Sequence, residues 1–263
     1  MIKLLERTLE LLRRLKSTYS KTLGQNLVGI YLHGSYVLGS YQEQVSDLDY
    51  IVVVKRPLKL AEKQALMTQT LTKLWPLAPA KGLEFHVLLL ADTQHFQQPL
   101  PFDFHFSKMH YAEYLARPQA YLAQMHGTDP DLAAHLTILT TTGQVLLGPA
   151  IANVFAPVPS EDYWASLVFD IADARQTIHE TPTYTVLNLC RVLAYRTDGL
   201  ILSKAGGGQW GLTHLQRQYW PVMQHALTAY QSPAAKPPKY DQAQLTAFAS
   251  WMLAKIGIAE SLT

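Results

Sequence analysis

The sequence predicts an α+β protein, with strands and helices mixed in the first half of the chain and helices alone in the second half. Two observations support this fold class. Short apolar runs of the kind that form buried strands occur before residue 108, and beyond it only segments with helical spacing remain. The chain has 263 residues, 48% of them hydrophobic, which is enough for one large domain or two of ordinary size. We place a domain boundary at residues 157/158, so the predicted domains are 1–157 and 158–263.

The N-terminal segment predicts an amphipathic helix over residues 2–20. Leu5, Leu9, Leu12 and Leu15 fall on one stripe at helical spacing. Charged residues interrupt the apolar ones throughout, so the segment lacks the continuous apolar core of a signal peptide. No apolar run approaches the roughly 18 residues needed to span a bilayer, and we expect a cytoplasmic protein without a membrane partner.

Three strands and one long helix are predicted in the rest of the first half. The apolar segments 27–33, 47–54 and 83–90 are typical of buried strands. Residues 58–75 have helical spacing and end before a proline. The segment FDFHF at 102–106 alternates strictly between apolar and polar residues, which fits either an edge strand or a loop.

Beyond residue 108 the sequence predicts helices separated by short breaks. Ser160 fits an N-cap, because a proline precedes it and acidic residues follow in the first turn. The Pro-rich stretch QSPAAKPPKY at 231–240 predicts a connector. The predicted helices cover residues 129–143, 160–180, 183–198, 209–217, 219–230 and 240–257.

Charge and cysteine content exclude several function classes. The formal net charge is +2 and no run of like charges occurs, so the basic stripe typical of a nucleic-acid-binding protein is absent from the sequence. Cys190 is the only cysteine, which rules out an intrachain disulfide and a Cys-rich zinc site.

Two aspartates mark the second predicted strand, in the stretch HGSYVLGSYQEQVSDLDYIVVV at 33–54. Because residues two apart on a strand point to the same face, Asp47 and Asp49 should lie side by side. Burying two uncompensated carboxylates is costly, and a hard cation such as Mg²⁺ with oxygen ligands compensates for it. If the third strand is a neighbour, Glu84 joins them, either as a general base or as another metal ligand.

A Gly-Ser turn precedes this pair of acids. Gly34 allows close approach of the backbone, Ser35 supplies a hydroxyl, and the following residues can open a helix whose amides attract anions. Alone, a Gly-Ser turn is ordinary loop chemistry and Asp-x-Asp is usually a solvated strand face. Together, between two apolar strands, they predict phosphoryl or nucleotidyl transfer.

This stretch resembles the signature of the nucleotidyltransferase superfamily, a Gly-Ser pair followed by Asp-x-Asp. The segments LEFHVLLL, HLTILTTTGQVLLGPA and VFAPVPSEDYW resemble those of the aminoglycoside adenylyltransferases, which modify streptomycin and spectinomycin. LNLCRVLAYRTDGLILSKAGGGQW and PVMQHALTAYQS resemble the helical C-terminal domain of that family. The resemblance covers nearly the whole chain.

The resemblance implies an N-terminal nucleotidyltransferase domain (a mixed sheet with flanking helices), a C-terminal all-α helical bundle, and an active site in the cleft between them. In this interpretation the two aspartates hold Mg²⁺ and Glu84 is the catalytic base. The residues implied to bind ATP are Gly34, Ser35 and Ser46 in the first domain and Arg191, Lys204 and Tyr230 in the second.

Without the resemblance, the three residues of the second domain have simpler interpretations. Arg191 lies in an apolar helix and needs an anionic partner, which an intramolecular salt bridge would also provide. Lys204 precedes three glycines that by themselves predict a helix-breaking loop. Tyr230 is a helix-end aromatic of the kind that usually packs.

The sequence departs from the family in the segment implied to bind the acceptor. Ala172, Thr177 and Thr181 align where members that accept streptomycin carry a tryptophan and acids; a shift in alignment would instead bring Asp173 or Glu180 there. Spectinomycin, which needs fewer acids, is therefore the better candidate acceptor, and a different hydroxylated, cationic molecule is the alternative.

Histidines are numerous, with ten in the chain. His105 and His110 lie in an aromatic-rich segment that either lines the acceptor pocket or packs as a loop, and His33 beside the Gly-Ser turn is interpreted as structural.

The expected function is Mg²⁺-dependent transfer of AMP from ATP to a hydroxyl of an aminoglycoside or aminocyclitol, conferring resistance. The alternatives are the same chemistry on a protein, a nucleic acid or another small molecule, and a non-catalytic ATP-binding module. We expect ATP and a small cationic molecule as partners, no nucleic acid, and a monomer.

Overall fold

The computed structural model describes residues 2–232 and 239–258, and the side chains from residue 6 onward. Most of the predicted Pro-rich connector lies outside the described residues. The chain forms two compact units, Met1–Tyr163 and Trp164–Thr263, which divide shortly after the predicted boundary at 157/158.

The first unit contains seven strands among its described residues. Three of them match the predicted strands to within a residue or two, and Phe104–Phe106 shows that part of the FDFHF segment is a strand. The strands are β1 Leu27–Leu32, β2 Leu48–Val54, β3 Leu83–Leu89, β4 Leu100–Phe102, β5 Phe104–Phe106, β6 Gly127–Asp129 and β7 Gln144–Leu147.

The helices of the first unit are interspersed with these strands along the chain. The predicted helix over 58–75 is an α-helix that continues as a π-helical turn, Thr70–Leu74, and a 3₁₀ turn, Trp75–Leu77. The α-helices that begin in this unit are α1 Ile2–Leu23, α2 Gly34–Val37, α3 Leu60–Gln69, α4 Leu90–Gln94, α5 Tyr111–Ala116, α6 Pro118–Gln124, α7 Leu132–Thr142 and α8 Ser160–Asp170.

Five strands form one mixed sheet in the order β5-β3-β2-β1-β7, and β4 pairs with β6 in a second, two-stranded sheet. Only β2 and β3 are parallel; the other neighbours are antiparallel. The prediction of a mixed sheet with flanking helices is confirmed. The expectation that no strands follow residue 108 is wrong, because β6 and β7 form there. Both are short and partly exposed, and neither alternates between apolar and polar residues. Each pairs with a distant strand, so local periodicity does not reveal them.

The side chains of the central sheet are buried on both faces. On one face Tyr50 stacks on Phe85, its partner in the β2–β3 register, at 5.1 Å between ring centroids. On the other face, Ile51 and Val53 belong to a cluster with residues of α7. Asp49 lies on the α7 face, because it is two residues before Ile51.

The buried face of α1 differs from the predicted stripe. Leu12 and Leu15 are buried as expected, but Leu9 is 52% exposed, and the side chain of Leu5 lies outside the described residues. The buried positions instead follow Thr8, Leu11, Leu12, Leu15, Thr18, Tyr19 and Leu23.

The described residues of the second unit form helices and short connections without strands, and the central helix contacts four others. The prediction of an all-α second half is confirmed for this unit. The helices after α8 are α9 Ala174–Glu180, α10 Pro182–Asp198, α11 Lys204–His214, α12 Trp220–Gln231 and α13 Gln242–Ile256, and α10 contacts α9, α11, α12 and α13.

Two helix predictions for this unit are wrong in detail. The helix expected over 160–180 breaks between α8 and α9, at residues 171–173, where no proline or glycine marks the break. The three glycines expected to form a loop lie inside α11. Their lack of side chains allows close packing: a Cβ on Gly207 would lie 2.7 Å from the backbone nitrogen of Arg191, so α11 rests directly on α10.

Candidate active site

The structure brings the three predicted carboxylates together. Asp49 of β2 and Glu84 of β3 are direct partners in the parallel register, and Asp47 lies one residue before β2. One carboxylate oxygen from each of the three lies within 4.8 Å of the other two, and all three side chains are half-buried. The second and third strands are therefore neighbours, which was the condition for Glu84 to join the two aspartates.

The chemistry of this donor set fits a hard divalent cation. Three carboxylates so close together repel each other, and carboxylate oxygens are ligands of the kind that Mg²⁺ takes. Among the described residues this is the one group of three or more acidic, histidine or cysteine side chains with such spacing.

Gly34 is required beside Asp49 for two physical reasons. Its φ is +65°, which disfavours residues with a side chain, and a Cβ there would lie 2.6 Å from Cγ of Asp49. The turn is tied to the same strand because the backbone N–H of His33 donates to the carbonyl of Asp49 at 3.1 Å. The close neighbour that the glycine accommodates is thus the carboxylate itself.

Two serine hydroxyls in this turn are buried and have no hydrogen-bond partner among the residues that the structure describes. One is Oγ of Ser35, which follows Gly34 in the one-turn helix α2. The other is Oγ of Ser40, whose backbone N–H donates to the carbonyl of Ser35 at 3.1 Å. Sequence reasoning missed Ser40, because a single loop serine carries no signal of burial.

Ser46 has a structural role in the turn before Asp47. Its Oγ accepts a hydrogen bond from the backbone of Gln42 at 3.0 Å, and its own N–H donates to the Gln42 carbonyl at 2.8 Å. Its carbonyl accepts from the backbone of Lys81 at 3.1 Å, next to the start of β3. Ser46 therefore helps to fix the position of the acids, and its predicted contact with ATP stays a prediction.

A cluster of histidines, which the sequence analysis did not predict, lies beside the three acids. The ring of His135 on α7 is 4.9 Å from that of His33 and 5.8 Å from that of His86, which is two residues beyond Glu84. His86 stacks on His105 at 3.9 Å, so His105 packs within the sheet. Four separate segments of the chain supply these rings, and no spacing in the sequence reveals their convergence.

His135 is the positively charged member of this cluster. Burial lowers its pKa, but the charge of Asp131 and a contact of 3.3 Å with its carboxylate, followed by the charges of Glu84 and Asp49, raise the pKa of His135 to about 10. In contrast, burial and the neighbouring His135 and His86 hold the pKa of His33 well below its usual value.

In the second unit, Arg191 forms the intramolecular salt bridge that was one of its two interpretations. Its Nη2 lies 3.3 Å from Oδ2 of Asp170, and its Nε donates to Oδ1 of Asn188 at 2.6 Å. Lys204 is the first residue of α11, and its Nζ lies 4.7 Å from the centre of the Tyr184 ring. Their roles toward ATP, and that of Tyr230 near the end of α12, remain predictions.

The residues aligned with the family's acids are neutral and bonded among themselves. Oγ1 of Thr181 donates to the carbonyl of Thr177 at 3.2 Å, and Oγ1 of Thr185 donates to the carbonyl of Thr181 at the same distance. The alternative acids, Asp173 and Glu180, lie exposed just before α9 and at its end.

The described helices include none that combines the length and the apolar character needed to cross a membrane.

Two family models match the chain. The model described as nucleotidyltransferase domain matches residues 10–108, and the model described as aminoglycoside adenylyltransferase, C-terminal domain, matches residues 153–255. The first contains the three acids and the Gly-Ser turn, and the second contains Arg191, Lys204 and Tyr230.

Curated relatives and a solved structure agree with these matches. A spectinomycin 9-adenylyltransferase from Staphylococcus aureus is 25% identical over 210 residues, covering 79% of each chain. An aminoglycoside (3'') (9) adenylyltransferase from Klebsiella pneumoniae is 27% identical over 218 residues, again covering 79% of each. The fold matches a crystal structure of an Enterococcus spectinomycin adenyltransferase with ATP and spectinomycin, with a TM-score of 0.78 and 19% identity, covering 94% of this chain and 98% of that one. The acid site, the two family matches and the shared fold lead to one conclusion: the chain belongs to the aminoglycoside adenylyltransferase family of the nucleotidyltransferase superfamily and is a nucleotidyltransferase.

Proposed function

We propose that this protein transfers AMP from ATP to a hydroxyl of an aminocyclitol or aminoglycoside antibiotic, in a Mg²⁺-dependent reaction that accepts spectinomycin in preference to streptomycin. The observation that carries the proposal is the meeting of Asp47, Asp49 and Glu84 on adjacent strands beside the turn at Gly34.

Asp47 and Asp49 are the residues that would hold Mg²⁺. The ion would neutralise charge on the phosphates of ATP and help to align them. Oγ of Ser35 is a buried hydroxyl in need of a partner, and rotation about its χ1 bond would offer it to a phosphate oxygen.

Glu84 is proposed as the general base for the transfer. Its carboxylate accepts the proton of the acceptor hydroxyl, and the acceptor oxygen forms a bond to the α-phosphorus of ATP. The bond from that phosphorus to the bridging oxygen of the leaving group breaks, and pyrophosphate departs. Arg191 and Lys204 are proposed to provide positive charge for the phosphates.

The preference for spectinomycin rests on the charge of this chain's own residues. Relatives named as spectinomycin adenylyltransferases, and a structural neighbour solved with spectinomycin, indicate the class of acceptor. Thr177 and Thr181 place hydroxyls where carboxylates would favour a more highly charged acceptor. Because an exposed carboxylate attracts each ammonium or guanidinium group of a ligand, their absence should weaken binding of streptomycin more than of spectinomycin.

Two readouts with separate antibiotics test the proposal. The protein is incubated with ATP, Mg²⁺ and either spectinomycin or streptomycin, and both pyrophosphate release and the mass of the antibiotic are followed. We expect pyrophosphate together with spectinomycin heavier by one AMP group, and much slower reaction with streptomycin.

The same assay with Glu84→Gln controls for a contaminating enzyme. Absence of any adenylylated product across a panel of aminoglycosides and aminocyclitols would refute the proposed acceptor class, and faster reaction with streptomycin would refute the preference.

A further inference from the structure

A hydrogen-bonded array surrounds Arg191 on α8 and α10. The carboxylate of Asp170, the last residue of α8, receives three side chains: Tyr184 donates to Oδ1 at 3.0 Å, and Asn188 and Arg191 approach Oδ2 at 2.8 and 3.3 Å. The three donors follow one another at i, i+4 and i+7, so they lie on one face of α10. The carboxylate of Asp170 thus binds three side chains on one face of α10.

The array fixes the plane of the guanidinium group. Arg191 is held at Nε by Asn188 and at Nη2 by Asp170, so two neighbouring donors of its fork have fixed partners. Asn188 is itself held by Asp170, because its Nδ2 donates there while its Oδ1 accepts from Arg191. The carboxylate acts on Arg191 both directly and through the amide.

The base of the Arg191 side chain is fixed as well. A Cβ on Gly207 would lie 2.7 Å from Cβ of Arg191, so the backbone of α11 presses on the stem while Asp170 and Asn188 hold the head. The side chains of Arg191 and Asp170 are only 19% and 22% exposed, so their interaction is less screened than that of a surface pair.

We propose that Asp170 is a positioning residue, which holds Arg191 in the orientation that meets the phosphates of ATP. The inference rests on the proposed function, in which Arg191 contacts ATP. Asp170 does not touch the nucleotide in this account; it acts through Arg191. A residue that merely joins α8 to α10 would instead influence stability and leave nucleotide affinity unchanged.

A double-mutant cycle separates these roles. The affinity for ATP in the presence of Mg²⁺ is measured by calorimetry, without acceptor, for the wild type, Asp170→Asn, Arg191→Ala and the double variant. We expect Asp170→Asn to weaken ATP binding about tenfold, the size of one lost charge-assisted hydrogen bond. In the Arg191→Ala background the same change should have an effect below about twofold, because nothing remains to be positioned.

Two further variants make the test independent of folding. Tyr184→Phe keeps the ring but removes one hydrogen bond to Asp170, and we expect a smaller loss of ATP affinity that also disappears in the Arg191→Ala background. Asp198→Asn is the matched control for Asp170→Asn, because Asp198 ends α10, the helix that carries Arg191, and accepts a hydrogen bond from Trp210 Nε1 at 2.7 Å. It should lower the melting temperature without changing ATP affinity.

The outcomes distinguish this inference from the proposed function. Equal effects of Asp170→Asn with and without Arg191, or no effect while Arg191→Ala weakens binding, would overturn the positioning role alone. Wild-type affinity in Arg191→Ala would also overturn it, by removing the contact on which it depends. Absence of ATP binding by the wild type would overturn the proposed function as well.

Discussion

Replacement of Gly34 by alanine tests whether the turn and the acid site form one unit. The new Cβ would lie 2.6 Å from Cγ of Asp49, and its φ of +65° is unfavourable for alanine. Carbon atoms in contact lie about 3.5 Å apart or more, so the turn or the carboxylate must move by roughly 1 Å. A misplacement of that size can cost about a hundredfold in rate. We expect Gly34→Ala to reduce AMP transfer by about that factor.

Gly39→Ala is the matched control for this experiment. Gly39 has a similar φ of +71° in the same segment, but no atom lies within 4 Å of the position that its Cβ would take. Both variants should lose about 1–2 kcal/mol of unfolding free energy from the left-handed backbone, measured by urea denaturation. Only Gly34→Ala should lose the activity. Wild-type turnover by Gly34→Ala, or an equal loss by Gly39→Ala, would refute the reasoning.

Two other predictions concern α11 and the histidine cluster. Gly207→Ala should disturb the contact with Arg191 and lower both the melting temperature and the affinity for ATP. Gly206→Ala should leave the melting temperature unchanged or raise it, because its Cβ would have only side-chain neighbours, at 3.3 Å or more. Similar melting curves for the two variants would contradict this prediction. The pKa of His135 is raised to about 10, so in metal-free buffer its interactions with Asp131 stabilise the fold fully below pH 6.5, and the stabilisation is lost as pH rises through 10. His135→Gln should flatten the decline of urea stability between pH 7 and 10, and parallel curves would count against it.

The core of the first unit could be predicted from the sequence, because its signals are local. The strands that carry Asp49 and Glu84 are continuous apolar runs, and the spacing of Gly34, Ser35 and the two aspartates is a short-range pattern. Their convergence also required that the second and third strands be neighbours, which the sequence left open, and the structure shows β2 and β3 paired in parallel.

The features that the sequence did not reveal depend on contacts between distant segments. The strand β7 has only four residues, which do not alternate between apolar and polar, and it pairs with the distant strand β1. The glycines of α11 break helical propensity, and only the packing against α10 explains why they are helical. The raised pKa of His135 and the hydrogen bonds of Asp170 likewise depend in part on residues of other elements, and no local spacing in the sequence predicts those contacts.

Single-turnover AMP transfer by Glu84→Gln, measured together with its affinity for ATP, tests the central claim most directly. In the proposed mechanism the three carboxylates have different roles: Asp47 and Asp49 bind the metal, and Glu84 accepts the proton of the acceptor hydroxyl. We predict ATP affinity within about twofold of the wild type and a rate lower by about a hundredfold to ten-thousandfold, while Asp47→Asn should lose AMP transfer too. Transfer by Glu84→Gln at the wild-type rate, or full activity of Asp47→Asn, would contradict this assignment.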